Sequence, residues 1–144
     1  MLLTAQILLT IATLGYSLIP AIFDSNNTHV TNPSWDKHAR FHVVWQVSSY
    51  VYVALLALFL IWTTGGETWN LWLAAILAAA SYGGFWTAVL SRPSYEGTLI
   101  SAINPVPDFS WKIGGKIVKT DANVTLFTGF VIILIAGVIA IKLV

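Results

Sequence analysis

The stretch from Phe41 to Thr64, FHVVWQVSSYVYVALLALFLIWTT, contains no Asp, Glu, Lys or Arg. At 1.5 Å per residue, about 20 helical residues cross a hydrocarbon layer roughly 30 Å thick. Three more charge-free windows of similar length occur, Met1 to Phe23, Thr68 to Ser91 and Ala122 to Ile141. A helix on the surface of a soluble bundle would carry a polar residue at every third or fourth position. These windows do not. The expected fold is therefore all-α: an integral membrane four-helix bundle, one transmembrane domain over 1–144, with spans at about 2–23, 41–62, 68–90 and 122–141.

Composition agrees. Of 144 residues, 57% are hydrophobic and 9% charged, with a mean hydropathy of +0.78; a soluble domain carries about 25% charged residues. The first window has no basic residue before it and no small-x-small cleavage pattern ahead of Asp24, so it is expected to stay as a helix. The absence of Cys excludes disulfides, thiolate metal sites and a cysteine nucleophile. A net charge of +1 implies no nucleic-acid partner.

With four spans, loops 1 and 3 share one side of the membrane. Lys37, Arg40, Arg92, Lys112, Lys116 and Lys119 all fall there, and only Lys142 falls opposite. The excess of basic residues predicts that these loops are cytoplasmic and that both termini are on the other side.

The polar segments add detail. Asn32-Pro33 pairs a favoured N-cap with a favoured first helical residue, which predicts that helix 2 starts near residue 33, before the membrane. Helix 3 carries Ala75, Ala79 and Gly83 at spacing four, with Ala80 and Gly84 as a parallel row. Rows of small residues let helix backbones approach closely in lipid, so helix 3 is the expected packing centre. The connection from Arg92 to Asp121 is long, and a long connection is functional or disordered more often than not. Its apolar residues Leu99, Ile100, Ile103, Val106, Phe109, Trp111, Ile113 and Ile117 argue against disorder. Alternation on both sides of Gly114-Gly115 predicts a short β-hairpin. This loop either caps the mouth of the bundle or rests among lipid headgroups.

All three histidines, His29, His38 and His42, fall within fourteen residues. On a helix begun near Pro33, His38 and His42 stand one turn apart, and their face continues through Gln46 and Ser49. Hydrocarbon rejects such a stripe, so it is expected to face the bundle interior or a wet cavity.

Three readings of the stripe stay open. His38 and His42, with His29 or Asp24, have the spacing of a metal site. The working expectation is a pocket at the cytoplasmic mouth, partly covered by loop 3, where His29, His38, His42 and Asp24 bind or transform a small lipophilic ligand drawn from membrane lipid, in the manner of an isomerase, cyclase or cofactor-free oxygenase. Arg40 and Arg92 would then hold an anionic group, Gln46 and Ser49 would line the pocket, and Trp45, Tyr82 and Trp86 would form an aromatic wall. In the third reading these polar groups only tie helices together, and the chain is an accessory subunit, a lipid-binding module or one copy of a homo-oligomer. The residues imply no particular cofactor.

The run Asp24-x-Asn26-x-Thr28-His29, followed by Asn32-Pro33-x-Trp35-x-x-His38-Ala39-Arg40-Phe41-His42, resembles the signature of a domain-of-unknown-function family of small bacterial and fungal membrane proteins. The motif covers about 20 of 144 residues and implies four spans without implying an activity. In span count the chain is similar to DoxX-like, emopamil-binding-like and anthrone-oxygenase-like proteins. The intramembrane acidic residues of the emopamil-binding type are missing from this sequence.

Overall fold

A computed structural model describes residues 1–101, 105 and 108–144; Ile103 and Val106 lie outside them. Four helices form the bundle: α1 (Leu2–Phe23), α2 (Lys37–Trp62), α3 (Trp69–Ser91) and α4 (Ala122–Lys142). A single 3-10 turn, Arg92–Ser94, follows α3. All four helices are long and apolar enough to cross a membrane.

Helix α2 starts at Lys37, one turn later than Asn32-Pro33 predicts. The reason is a competing cap. Asp36 accepts hydrogen bonds from the Nα of His38 at 2.8 Å and of Ala39 at 3.4 Å, which satisfies donors that the first turn leaves open. Asn32 instead spends its side-chain oxygen on the Ser34 amide at 2.9 Å, closing a turn. Asp121 caps α4 in the same way, through the Val124 amide.

The packing centre is α1, not α3. Of the apolar window of α1, 44% is buried, against 28% for α3. Its inner face runs Ala5, Leu9, Ala12, Tyr16, and α1 touches all three other helices. Close approach rests on Gly15 and Gly137, where added Cβ atoms would meet the Phe130 ring and the Leu9 side chain respectively. Helix α3 packs through Leu71, Ala74, Ala75, Ala78 and Tyr82. Most of the predicted small-residue row points away: Ala79, Ala80, Gly83 and Gly84 are exposed, and a Cβ at either glycine would meet nothing within 4 Å.

The predicted hairpin is present. Strand β1 (Phe109–Ile113) pairs antiparallel with β2 (Lys116–Thr120), with Trp111 opposite Val118. Gly114 and Gly115, at φ of +55° and +80°, supply the two left-handed residues that a two-residue turn requires. The strands are exposed along nearly their whole length and do not cover the bundle.

Candidate functional site

Loop 1 and the start of α2 hold the residues singled out from sequence. A helix ends with carbonyls that lack intrahelical donors. Asn26 Nδ2 donates to the Ile22 carbonyl at 2.9 Å, and Thr28 Oγ1 donates to the Phe23 carbonyl at 2.5 Å. The Thr28 amide in turn donates to Asn26 Oδ1 at 2.8 Å. Asn32 is buried, and its Nδ2 reaches back to the Thr28 carbonyl at 3.4 Å. Asn26, Thr28, Asn32 and Asp36 are thus spent on joining the end of α1 to the start of α2.

Asp24 and His29 form a pair within this loop, with Oδ1 and Nδ1 3.4 Å apart. The Trp35 ring stands edge-on to the His29 ring at 4.8 Å. Thr28 Oγ1 lies 2.8 Å from the same His29 nitrogen. A hydroxyl–imidazole–carboxylate relay needs the hydroxyl on one ring nitrogen and the carboxylate on the other. Here both address Nδ1, so the three do not form a relay.

Burial pushes the Asp24 carboxyl up, and His29 pulls it partly back. A raised carboxyl holds its proton more tightly in the folded chain. Its contribution to stability is present below the ordinary carboxylate range and is lost as pH rises through the raised value. Asp24→Asn should therefore remove a fall in stability that begins near pH ~4. Thermal unfolding in nanodiscs at a series of pH values checks this, and equal pH slopes for the two proteins would contradict it.

His38 and His42 are brought together, Nε2 to Nε2 at 3.1 Å, so one nitrogen donates while the other accepts. Phe41 and Trp45 flank His42, at ring distances of 5.7 and 6.0 Å. The expected inward stripe, however, faces outward. His38, His42 and Gln46 are exposed, Trp45 is 61% exposed, and α2 buries Val47, Ala54, Ala57 and Ile61 instead.

Length accounts for the two histidines. With 26 residues, α2 is about 39 Å long, so about six residues extend beyond a hydrocarbon layer roughly 30 Å thick. Counted back from Trp62, those residues are Lys37–His42. With Trp62 set at one edge of the hydrocarbon, this count puts both imidazoles at headgroup level, where no polar interior is needed to receive them. Gln46, one turn deeper, donates to Tyr50 Oη at 2.8 Å, and Ser49 Oγ donates to the Trp45 carbonyl at 2.9 Å.

The other expected residues do not join the histidines. Arg40 is half-buried, and its Nε has no hydrogen-bond partner among the described residues. Arg92 Nε donates to the Val89 carbonyl at 2.8 Å and lines a shallow hollow of about 190 Å³ with Phe85, Tyr95 and Leu99. Trp86 is half-buried against Phe85, Tyr82 lies in the core, and Trp45 faces out. The aromatic wall is therefore not assembled. A second hollow, about 180 Å³ between α1 and α2, is lined by Leu14, Leu18, Val51 and Leu55. Neither hollow touches a histidine. Among the described residues no group of three His, Cys, Asp or Glu side chains could hold a metal ion. His29 is taken up by Asp24, leaving His38 and His42 as a pair.

The polar interior lies on α1. Gln6, Thr13 and Ser17 are buried there and Thr10 is half-buried, at a spacing that puts all four on one helix face. Gln6 Nε2 donates to the Ile61 carbonyl at 2.9 Å, joining α1 to the end of α2. Tyr82 Oη donates to the Ala12 carbonyl at 2.5 Å, joining α3 to α1. Tyr16 meets Tyr82 and Tyr50 edge-on, at 5.8 and 6.5 Å. The spacing 6, 10, 13, 17 is readable in the sequence, though less conspicuous than the histidines.

These features define a multi-pass helical membrane bundle in which Gln6 and Tyr82 bond from helix to helix, Ser17 bonds within α1, and the buried hydroxyls of Thr10, Thr13 and Tyr16 have no hydrogen-bond partner among the described residues. No protein family, curated protein or solved structure matches the chain.

Proposed function

We propose that this chain is a non-catalytic subunit of a membrane assembly, oriented with loops 1 and 3 on the cytoplasmic side. The observation that carries the reading is the placement of His38, His42 and Gln46 on the outer surface of α2, beside neither of the two hollows. The outward Ala79–Gly83 and Ala80–Gly84 rows of α3 agree with it, because such rows admit a neighbouring helix at short range. Inside the bundle, Gln6 and Tyr82 already bond to helix carbonyls, which suits a scaffold better than a reaction chamber.

The test is the assembly state of the full chain extracted from its native membrane in mild detergent. Gly84→Leu adds bulk where the bundle itself has nothing within 4 Å, so it should dissociate the assembly yet shift folding stability by no more than about 0.5 kcal/mol. His42→Ala should likewise leave stability within that range. A wild-type chain that is extracted alone, and whose position 84 photo-crosslinks only to lipid, would contradict the proposal.

A further inference from the structure

The hairpin between α3 and α4 has two unlike faces. Side chains alternate along a strand, and cross-strand partners share a face. The register therefore places Phe109, Trp111, Ile113 and Val118 on one side, with Lys116 and Thr120 at its ends. Ser110, Lys112, Ile117 and Lys119 occupy the other. All four apolar residues of the first face are exposed, from 38% at Phe109 to 64% at Ile113. A lone two-stranded hairpin is marginal in water and needs a surface to rest on. The helices do not supply one.

We propose that this hairpin is a lipid-docking foot: its Phe109–Trp111–Ile113–Val118 face enters the headgroup boundary of the protein's own bilayer, and its lysines hold it to anionic phospholipid. Height and charge both point to this occupant. Trp111 Nε1 donates to Thr120 Oγ1 at 2.7 Å, and Thr125 Oγ1 donates to the same oxygen at 2.8 Å. Thr125 lies in the first turn of α4, a spanning helix, so these bonds fix the base of the hairpin where that helix meets the membrane surface. From Phe109 to Thr120 there are three lysines, Lys112, Lys116 and Lys119, and no acidic residue. Two acidic residues flank the hairpin, Asp108 and Asp121, against its three lysines, and the Asp121 carboxylate is occupied by the α4 cap. Basic side chains within a Debye length of an anionic leaflet are drawn to it, whereas a neutral leaflet gives no such attraction.

The chain has no Cys, so single spin labels report cleanly from Ile113→Cys on the apolar face and Ile117→Cys on the lysine face. Both positions are exposed, and neither label displaces core packing. The full chain is placed in phosphatidylcholine nanodiscs with or without phosphatidylglycerol. With phosphatidylglycerol, the residue 113 label should become accessible to oxygen and shielded from a water-soluble nickel complex, while the residue 117 label stays aqueous. In pure phosphatidylcholine this contrast should weaken. Each lysine replaced by Gln should lower the docked-to-undocked ratio about fivefold at low salt. Two equally aqueous labels would overturn the proposal, as would two equally shielded labels, which would mean a protein partner on both faces. Immersion indifferent to phosphatidylglycerol would overturn the anionic-lipid assignment, and that comparison requires no lysine variant.

Discussion

Tyr82→Ala is expected to cost the bundle about 3–5 kcal/mol, the range for deleting a large buried aromatic side chain. Tyr82 is 2% exposed and stands edge-on to Tyr16 at 5.8 Å and to Phe127 at 5.7 Å. It therefore joins α3 to both α1 and α4. In a bilayer the expulsion of water contributes little to helix association, so the loss comes from dispersion contacts that no neighbour can replace. Tyr82→Phe keeps the ring and removes only the hydrogen bond to the Ala12 carbonyl. Interhelical hydrogen bonds in membranes average about 0.6 kcal/mol, so this variant should lose roughly that much. Denaturant unfolding in mixed micelles separates the two. Equal losses for both variants would mean that the hydroxyl, not the ring, is the structural element.

Gly15→Ala should destabilise by about 1–3 kcal/mol, although Ala is the better helix former. A Cβ at residue 15 would sit 2.5 Å from two atoms of the Phe130 ring and 2.6 Å from Tyr82 Oη. These are rigid neighbours held by α4 and α3, so α1 would have to move away from both. The control is Gly129→Ala in α4, where an added Cβ meets nothing within 4 Å. That variant should be neutral, or gain up to about 1 kcal/mol from helix propensity. If the two variants unfold alike, α1 is not closely seated against α3 and α4.

The four spans and the hairpin were legible because each depends on a local pattern. The spans follow from the lack of charge between Phe41 and Thr64 and in the three other windows, and the hairpin follows from alternation around Gly114-Gly115. The start of α2 was misread because Asn32 and Asp36 are both good N-caps, and sequence alone does not rank them. The direction of the His38–His42–Gln46 face was misread for a different reason. A window without formal charge need not match the hydrocarbon depth, because an imidazole such as that of His42 extends it into the headgroups; the outward Gln46 has no such account. Small-residue spacing marks α3 as a close-packing helix without saying whether the neighbour belongs to the same chain. Which helix lies at the centre depends on how all four pack, and the stripe from Gln6 to Ser17 records that only for a reader already looking for it.

The central position of α1 bears on how the molecule is made. Its most extensive partner is α4, which is synthesised after α2 and α3, so α1 must wait in the bilayer until those helices have been made. Until α2 is inserted Gln6 lacks its Ile61 acceptor, and until α4 packs on it the inner face of α1 is incomplete. A nascent chain stopped before α4 would present this unfinished side to the insertion machinery and to membrane proteases. Biogenesis should therefore be most vulnerable just before α4 arrives.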